Sequence, residues 1–200
     1  MTLDSSQRGL LLVLSGPAGV GKDTVWREAS ACLASFAKAT TCTTRAARVG
    51  ERDGIDYFFV SNAEFDRLIN ENLLLEWALV HGNRYGVPVS SVNARLESGL
   101  DVVCVIDVQG ALKIRALHDD ALLIFLKPPP GHEVEVLGHR IAKRGAENES
   151  ETARRLETAQ WELGQTASYD YEIVNDEVEN AARQLCEIIA REKQRRGKTA

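Results

Sequence analysis

The chain predicts an α/β fold in which a doubly wound, parallel sheet lies between helices. Three observations carry that prediction. Its short apolar runs are continuous rather than alternating, as strands covered on both faces require. Segments of helical spacing separate those runs. A glycine-rich stretch, SGPAGVGKDT from Ser15 to Thr24, leads from the first run straight into the first helix.

The elements follow in order. LLLVL, Leu10 to Leu14, is the first strand, broken by Gly16-Pro17. A helix is expected from Lys22 to Ser35. The stretch from Arg48 to Val87 departs from the alternation. There YFFV and LLLEWALV flank one helix, AEFDRLINEN, which Ser61 and Glu64 open as a capping box. This reads as a small inserted α/β lobe. The alternation then resumes with a helix from Val89 to Ser98 stopped by Gly99, the run Val102 to Ile106, and a helix from Gln109 to Leu117. After them come the run Leu122 to Leu126, helices over Glu133 to Arg144 and Glu151 to Gln165, and the run Tyr171 to Val174. The last helix, Val178 to Gln194, carries an apolar stripe of Val178, Ala181, Leu185, Ile188 and Ile189.

Composition bounds the function. The 200 residues are 44% hydrophobic and 26% charged, an ordinary globular balance, and the net charge of −5 provides no global basic field for nucleic acid. The basic KQRRGK near the end reads as a solvated helix terminus, where cations suit the dipole. Cys32, Cys42, Cys104 and Cys186 form no CxxC pair and are expected to be reduced thiols rather than disulfides or zinc ligands. The four histidines show no metal spacing. LLLVL is too short for a secretory h-region, and nothing approaches a membrane span, so a cytoplasmic location is expected.

The opening loop is built to grip phosphate. Gly16, four residues, then Gly21-Lys22 lets backbone N–H groups turn inward around an anion, and the helix adds the positive end of its dipole. Lys22 can reach the outer phosphates of a nucleotide. The next residue normally offers a hydroxyl to Mg²⁺. Here it is Asp23, whose carboxylate is a hard donor able to hold Mg²⁺ directly or through water. Thr24 points about 100° away around the helix and does not replace that hydroxyl.

A second set of residues reads a partner. In TTCTTRAARVGERDGIDYFFV, Thr40 to Val60, Arg45 and Arg48 form a guanidinium pair suited to bidentate phosphate contact, and Tyr57 offers a hydroxyl. LLLEWALVHGNRYGVP places Glu76 on a strand. VVCVIDVQG places Asp107 at a strand's end, where open α/β sheets bind ligands.

With these motifs the chain resembles guanylate kinase, from about Leu10 to Arg191, through the loop, TTRAARVGERDGIDYFFV, EWALVHGNRYG, DVQGA, RLETAQWEL and YDYEIVND. The resemblance implies a P-loop nucleoside monophosphate kinase: a parallel core, an inserted GMP-binding lobe and a helical lid. It implies one domain over 1–200, with core 1–44, 88–130 and 166–200, lobe 45–87 and lid 131–165. The implied reaction moves the γ-phosphoryl of MgATP to GMP, giving ADP and GDP. ATP would be held by Gly16, Pro17, Ala18, Gly19, Val20, Gly21, Lys22, Asp23 and Thr24, with Arg140 and with Asn175 near the adenine. Arg45, Arg48, Tyr57 and Tyr85 would hold the GMP phosphate. Glu76, Asp107 and Thr41 would read guanine, and Glu51 would tie the arginine loop. Lys22, Arg48, Arg144 and Arg155 would carry catalysis.

The physics of guanine agrees with this. Its N1–H and N2 amine are adjacent donors that one carboxylate can accept, and adenine lacks the pair. Asp23, Val87-Pro88 and Val105 depart from the commonest family pattern and resemble the plastid-type branch. Mg²⁺ with ATP is the implied cofactor. ATP and GMP are the implied partners, with no nucleic acid or membrane, in a monomer or homodimer. The alternatives are a ribose 1,5-bisphosphate phosphokinase, which also carries a GKD loop but needs no guanine reader, and a non-catalytic guanylate-kinase-like binding module. The intact Lys22 and loop glycines argue against the module.

Overall fold

The computed structural model describes residues 8–131, 133, 136–138 and 149–197, without the side chains of 149–153, 155 and 156. Five parallel strands form the main sheet in the order β2-β7-β1-β8-β9. They are β1 (Leu11–Ser15), β2 (Phe36–Lys38), β7 (Asp101–Val105), β8 (Leu122–Lys127) and β9 (Tyr171–Val174). The continuous apolar runs are explained by burial on both faces. Leu10, Leu12 and Leu14 join one core cluster, and Leu11 and Val13 join the other, as the two-residue period of a strand requires. The first cluster packs under α1 (Lys22–Ala29) and α6 (Val178–Arg195), and the second under α3 (Asn93–Glu97) and α4 (Val108–Leu117).

A second, mixed sheet of order β4-β3-β6-β5 stands beside the first. It comprises β3 (Cys42–Thr43), β4 (Phe58–Phe59), β5 (Leu74–Val80) and β6 (Asn83–Pro88), with α2 (Asn62–Asn70) against it. Its pairing begins at Cys42, ahead of the expected lobe boundary at 45. Ser61 caps α2 by accepting from the Glu64 N–H, while the Glu64 carboxylate turns to Arg67, so half of the expected capping box forms. β5 and β6 are joined at His81-Gly82, both at positive φ, the backbone of a tight two-residue hairpin.

Several boundaries differ from expectation. α1 ends at Ala29 rather than Ser35, because Phe36–Lys38 must leave the helix to pair with β7 as an edge strand. A three-residue strand is too short to show periodicity. The segment from Val89 to Ser98 is a 3₁₀ turn followed by the short α3, not one helix. α5 spans Glu149–Leu163. The helix expected over Glu133 to Arg144 lies largely outside the described residues.

The expectation of four reduced thiols is corrected. Cys32 and Cys186 form a disulfide with their Cα atoms 6.5 Å apart, whereas Cys42 and Cys104 are free and buried. The physical reason is tertiary. α1 packs on α6, which brings the turn after α1 over the middle of α6, at a separation typical of a disulfide. The two residues are 154 apart in sequence, so spacing could not reveal the pair.

Candidate active site

The phosphate loop runs from the end of β1 to the start of α1. Gly16 sits at φ 147°, and a Cβ there would lie 2.1 Å from the Leu126 carbonyl oxygen, so only glycine lets the loop pass over β8. Lys22 Nζ curls back onto the carbonyls of Gly16 and Pro17, at 2.6 and 3.1 Å. This holds the cation at the mouth of the loop. Asn175, expected near adenine, is 1% exposed, and its Nδ2 donates to the Val20 carbonyl at 2.7 Å. In this structure it braces the loop from behind. Asp23 lines the cleft with its side chain 61% exposed and pairs with Lys38 at 2.9 Å. Lys38 comes from β2, the edge strand that periodicity missed.

Across the cleft stand the lobe residues. Arg45 makes a two-pronged ion pair with Glu51, at 3.0 and 2.9 Å, and its Nε donates to the Tyr85 hydroxyl at 3.2 Å. Glu51 also accepts from the Arg48 backbone N–H at 2.7 Å, which closes the arginine loop on itself. Its carboxyl is held low by Arg45 and that backbone bond, against the cost of burial. The Arg45 guanidinium lies 5.4 Å from the Tyr57 ring centre. Arg48 is exposed and lines the cleft with Tyr57 and Tyr85.

Glu76 lies at the floor. A bulge between Leu74 and Glu76 shifts the register of β5 on β6, and bulges re-aim side chains at functional sites. Glu76 is 6% exposed, with an Oε2 that has no hydrogen-bond partner. Burial first, then the nearby Asp107, push its carboxyl up to about 8, opposed by Lys113. Its carboxylate packs on the first turn of α4, where a Cβ on Gly110 would lie 2.8 Å from Oε2. Asp107 caps α4 by accepting the Gly110 N–H at 3.1 Å. Thr41 is buried beside the same cleft.

One cleft thus brings together Ala18, Gly19, Lys22, Asp23, Thr41, Arg45, Arg48, Tyr57, Glu76, Tyr85 and Asp107. Arg140 and Arg144 lie outside the described residues, as does the side chain of Arg155. Val87, one of the departures from the commonest family pattern, is wholly buried and packs in the core. Sequence reasoning missed Glu162, a 2% exposed carboxylate of α5 in the cleft wall. The available signal was its place three residues after the buried Ala159, on the inner face of the helix. It also missed His81 and Asn83 at the hairpin rim.

A parallel sheet with a phosphate loop after its first strand, facing a lobe with paired arginines and a buried acid, defines a P-loop nucleoside monophosphate kinase. The sequence profile of the family described as guanylate kinase matches residues 8–192, and the chain belongs to that family. A guanylate kinase of Streptococcus thermophilus is 46% identical over 188 residues, covering 94% of this chain and 88% of that one. One from Caldanaerobacter subterraneus subsp. tengcongensis is 42% identical over 187 residues, covering 94% and 89%. The crystal structure of guanylate kinase from Anaplasma phagocytophilum superposes with a TM-score of 0.75 at 34% identity, covering 93% of this chain and 87% of that one. The activity is guanylate kinase activity: transfer of a phosphoryl group from ATP to GMP.

Proposed function

We propose that this transfer runs through the cleft between the two sheets, with Glu76 as the guanine reader. The carrying observation is the buried, unpartnered Oε2 of Glu76. A buried acceptor without a donor is costly, and guanine brings two adjacent donors to it. Asp107 and Thr41 complete the base pocket. Arg45, Arg48, Tyr57 and Tyr85 take the GMP phosphate, with Glu51 fixing the geometry of the arginine pair.

On the opposite wall the backbone N–H groups of the loop and Lys22 hold the ATP phosphates. The GMP phosphate oxygen then faces the γ-phosphorus in line with the leaving ADP oxygen, and cations around the moving charge lower the barrier. Arg144 and Arg155 are assigned to that role with Lys22 and Arg48, and Arg140 to ATP.

Mg²⁺ suits the donors present. Among the described residues no group of three metal-binding side chains exists, and Mg²⁺ ordinarily takes one or two carboxylates plus phosphates and water. Asp23 would be that carboxylate. The ion, when bound, would supply charge neutralisation on the transferring phosphates. Asn175 acts on ATP through the loop it braces.

The chain works on its two nucleotides as a monomer or homodimer in the cytoplasm, without a nucleic-acid or membrane partner. The Cys32–Cys186 pair would meet reducing conditions there.

Glu76→Gln tests the central assignment. It replaces a pure acceptor by a half-donor facing guanine's donors. The expected loss in kcat/KM for GMP is ~2–4 kcal/mol in transition-state terms, with ATP affinity little changed. An unchanged kcat/KM would remove Glu76 from the reader's role. The same assay with ribose 1,5-bisphosphate as acceptor should show no ADP release above background.

A further inference from the structure

Glu162 has no part in the roles above, yet it is among the most buried carboxylates of the molecule at 2% exposure. It projects from the last turn of α5, and its Oε2 accepts the backbone N–H of Ala18 at 3.3 Å. Ala18 belongs to the glycine loop, whose N–H groups are arranged to meet anions. A carboxylate oxygen therefore stands at a donor meant for a phosphate oxygen. Among the described residues, the charged and titratable groups facing it come from three directions: Lys22 on α1, Asp107 at the cap of α4, and Tyr169 ahead of β9. Only Lys22 among them is a cation. Burial pushes the Glu162 carboxyl up to about 7, Lys22 pulls it down, Asp107 pushes it up further, and the Ala18 N–H favours the ionised form.

Two anions cannot share that amide. A nucleotide phosphate and the Glu162 carboxylate carry the same kind of oxygen and the same sign of charge. The 3.3 Å bond is long for an N–H···O contact, which makes it a hold that phosphate can displace. We propose that Glu162 is an internal phosphate mimic and the positioning residue that sets ATP affinity: its carboxylate occupies the Ala18 amide until a nucleotide phosphate takes that amide from it. The proposal rests on the reading that the loop binds the ATP phosphates. It adds a built-in competitor, carried on the helix that ends beside the loop, so that filling the loop and releasing the end of α5 become one event.

The test is steady-state kinetics and calorimetry on the full chain with Glu162→Gln. Glutamine keeps an acceptor for the Ala18 N–H and removes only the charge, so a mere brace would survive the change. KM for ATP should fall ~3–10-fold, with KM for GMP within about twofold of the parent. The dissociation constant of inorganic tripolyphosphate should fall by a similar factor, while that of adenosine, which has no phosphate, stays within about twofold. An unchanged or higher KM for ATP overturns the proposal, as does an equal gain for adenosine. If Glu162→Gln does not fold, the parent itself decides. The Ala18 amide resonance, assigned by NMR, should shift on saturation with tripolyphosphate, and in Glu162→Asp, whose carboxylate is withdrawn by one methylene, tripolyphosphate should bind more tightly. A stationary Ala18 signal or weaker binding in that variant overturns it. A parent that binds neither ATP nor tripolyphosphate would instead refute the phosphate-loop reading itself.

Discussion

Glu76, proposed above as the guanine reader, would link burial to substrate choice. Burial first, then Asp107, push its carboxyl up to about 8 from the usual 4.5, which favours the protonated form in the ligand-free protein, and the ionised form is the one with acceptors to offer a base. In the proposed reader's role it would meet guanine's N1–H and N2–H donors in the ionised form, and GMP binding would then release a proton. KM for GMP should fall as pH rises from about 6.5 to about 8.5, by up to ~10-fold per unit below the carboxyl's range. In Glu76→Gln that slope should vanish, and a parallel slope in both proteins would assign it elsewhere. The stability sign is opposite. A carboxyl whose folded value is raised must lose a proton it holds when folded, so ligand-free stability should decline as pH rises from about 4.5 towards about 8, and less so in the glutamine variant. Gly110 belongs to the same device. Its missing Cβ makes the space that the Glu76 carboxylate fills. Gly110→Ala should displace that carboxylate and raise KM for GMP by ~10-fold or more while KM for ATP holds, since loss of a hydrogen-bonding pair costs ~1–3 kcal/mol. Equal changes in both KM values would mean that α4 itself had been disturbed.

At the scale of elements, the last helix is fastened by charge as well as by its apolar stripe. Lys193 and Asp101 pair at 2.9 Å, each side chain 8% exposed, and Asp101 also accepts the Leu10 N–H at 2.7 Å. This ties α6 to the start of β7 and to the residue before β1. Removing one member of a buried pair strands the other, so Asp101→Asn should cost ~3–5 kcal/mol in urea unfolding, whereas Lys193→Met with Asp101→Leu together should cost much less. A single change costing under about 1 kcal/mol would show the pair to be hydrated. Beside it, Arg195 first and then Tyr171 hold the buried Glu192 carboxyl down to about 2. A lowered carboxyl contributes stability that is present above its usual value and is lost as pH falls towards 2. The short β2 matters out of proportion to its length, because it delivers Lys38 to Asp23 at the rim of the phosphate loop.

At the scale of the molecule, residues around the two sheets line the two sides of one cleft. The lobe connects to the core through the chain near Arg45 and near Val87, and α4 packs on β5 across the gap. Phosphoryl transfer needs the nucleotides in line and water kept away from the γ-phosphate. The lobe is therefore expected to close on the core when both are bound, by rotation at those two junctions. Solution scattering with and without a bisubstrate analogue should show a smaller radius of gyration in the complex, and an identical value would contradict closure.

Much of this was legible in the residues alone. Continuous apolar runs marked buried strands, because a strand covered on both faces has no polar side to show. The glycine spacing marked the phosphate loop, because only backbone free of Cβ can wrap an anion there. An acid in the apolar run LLLEWALV marked a position to watch, because such a charge is costly without a partner, and the structure buries it with an unpartnered Oε2. What tertiary structure alone decided depends on contacts between residues far apart in the chain. The disulfide needed α1 to lie on α6. The Lys38–Asp23 pair needed a three-residue edge strand to find β7. Glu162 reached the Ala18 amide, 144 residues away, only because α5 ends against the loop. Local pattern records which face of an element is apolar; which distant group that face will meet is set by how the elements pack.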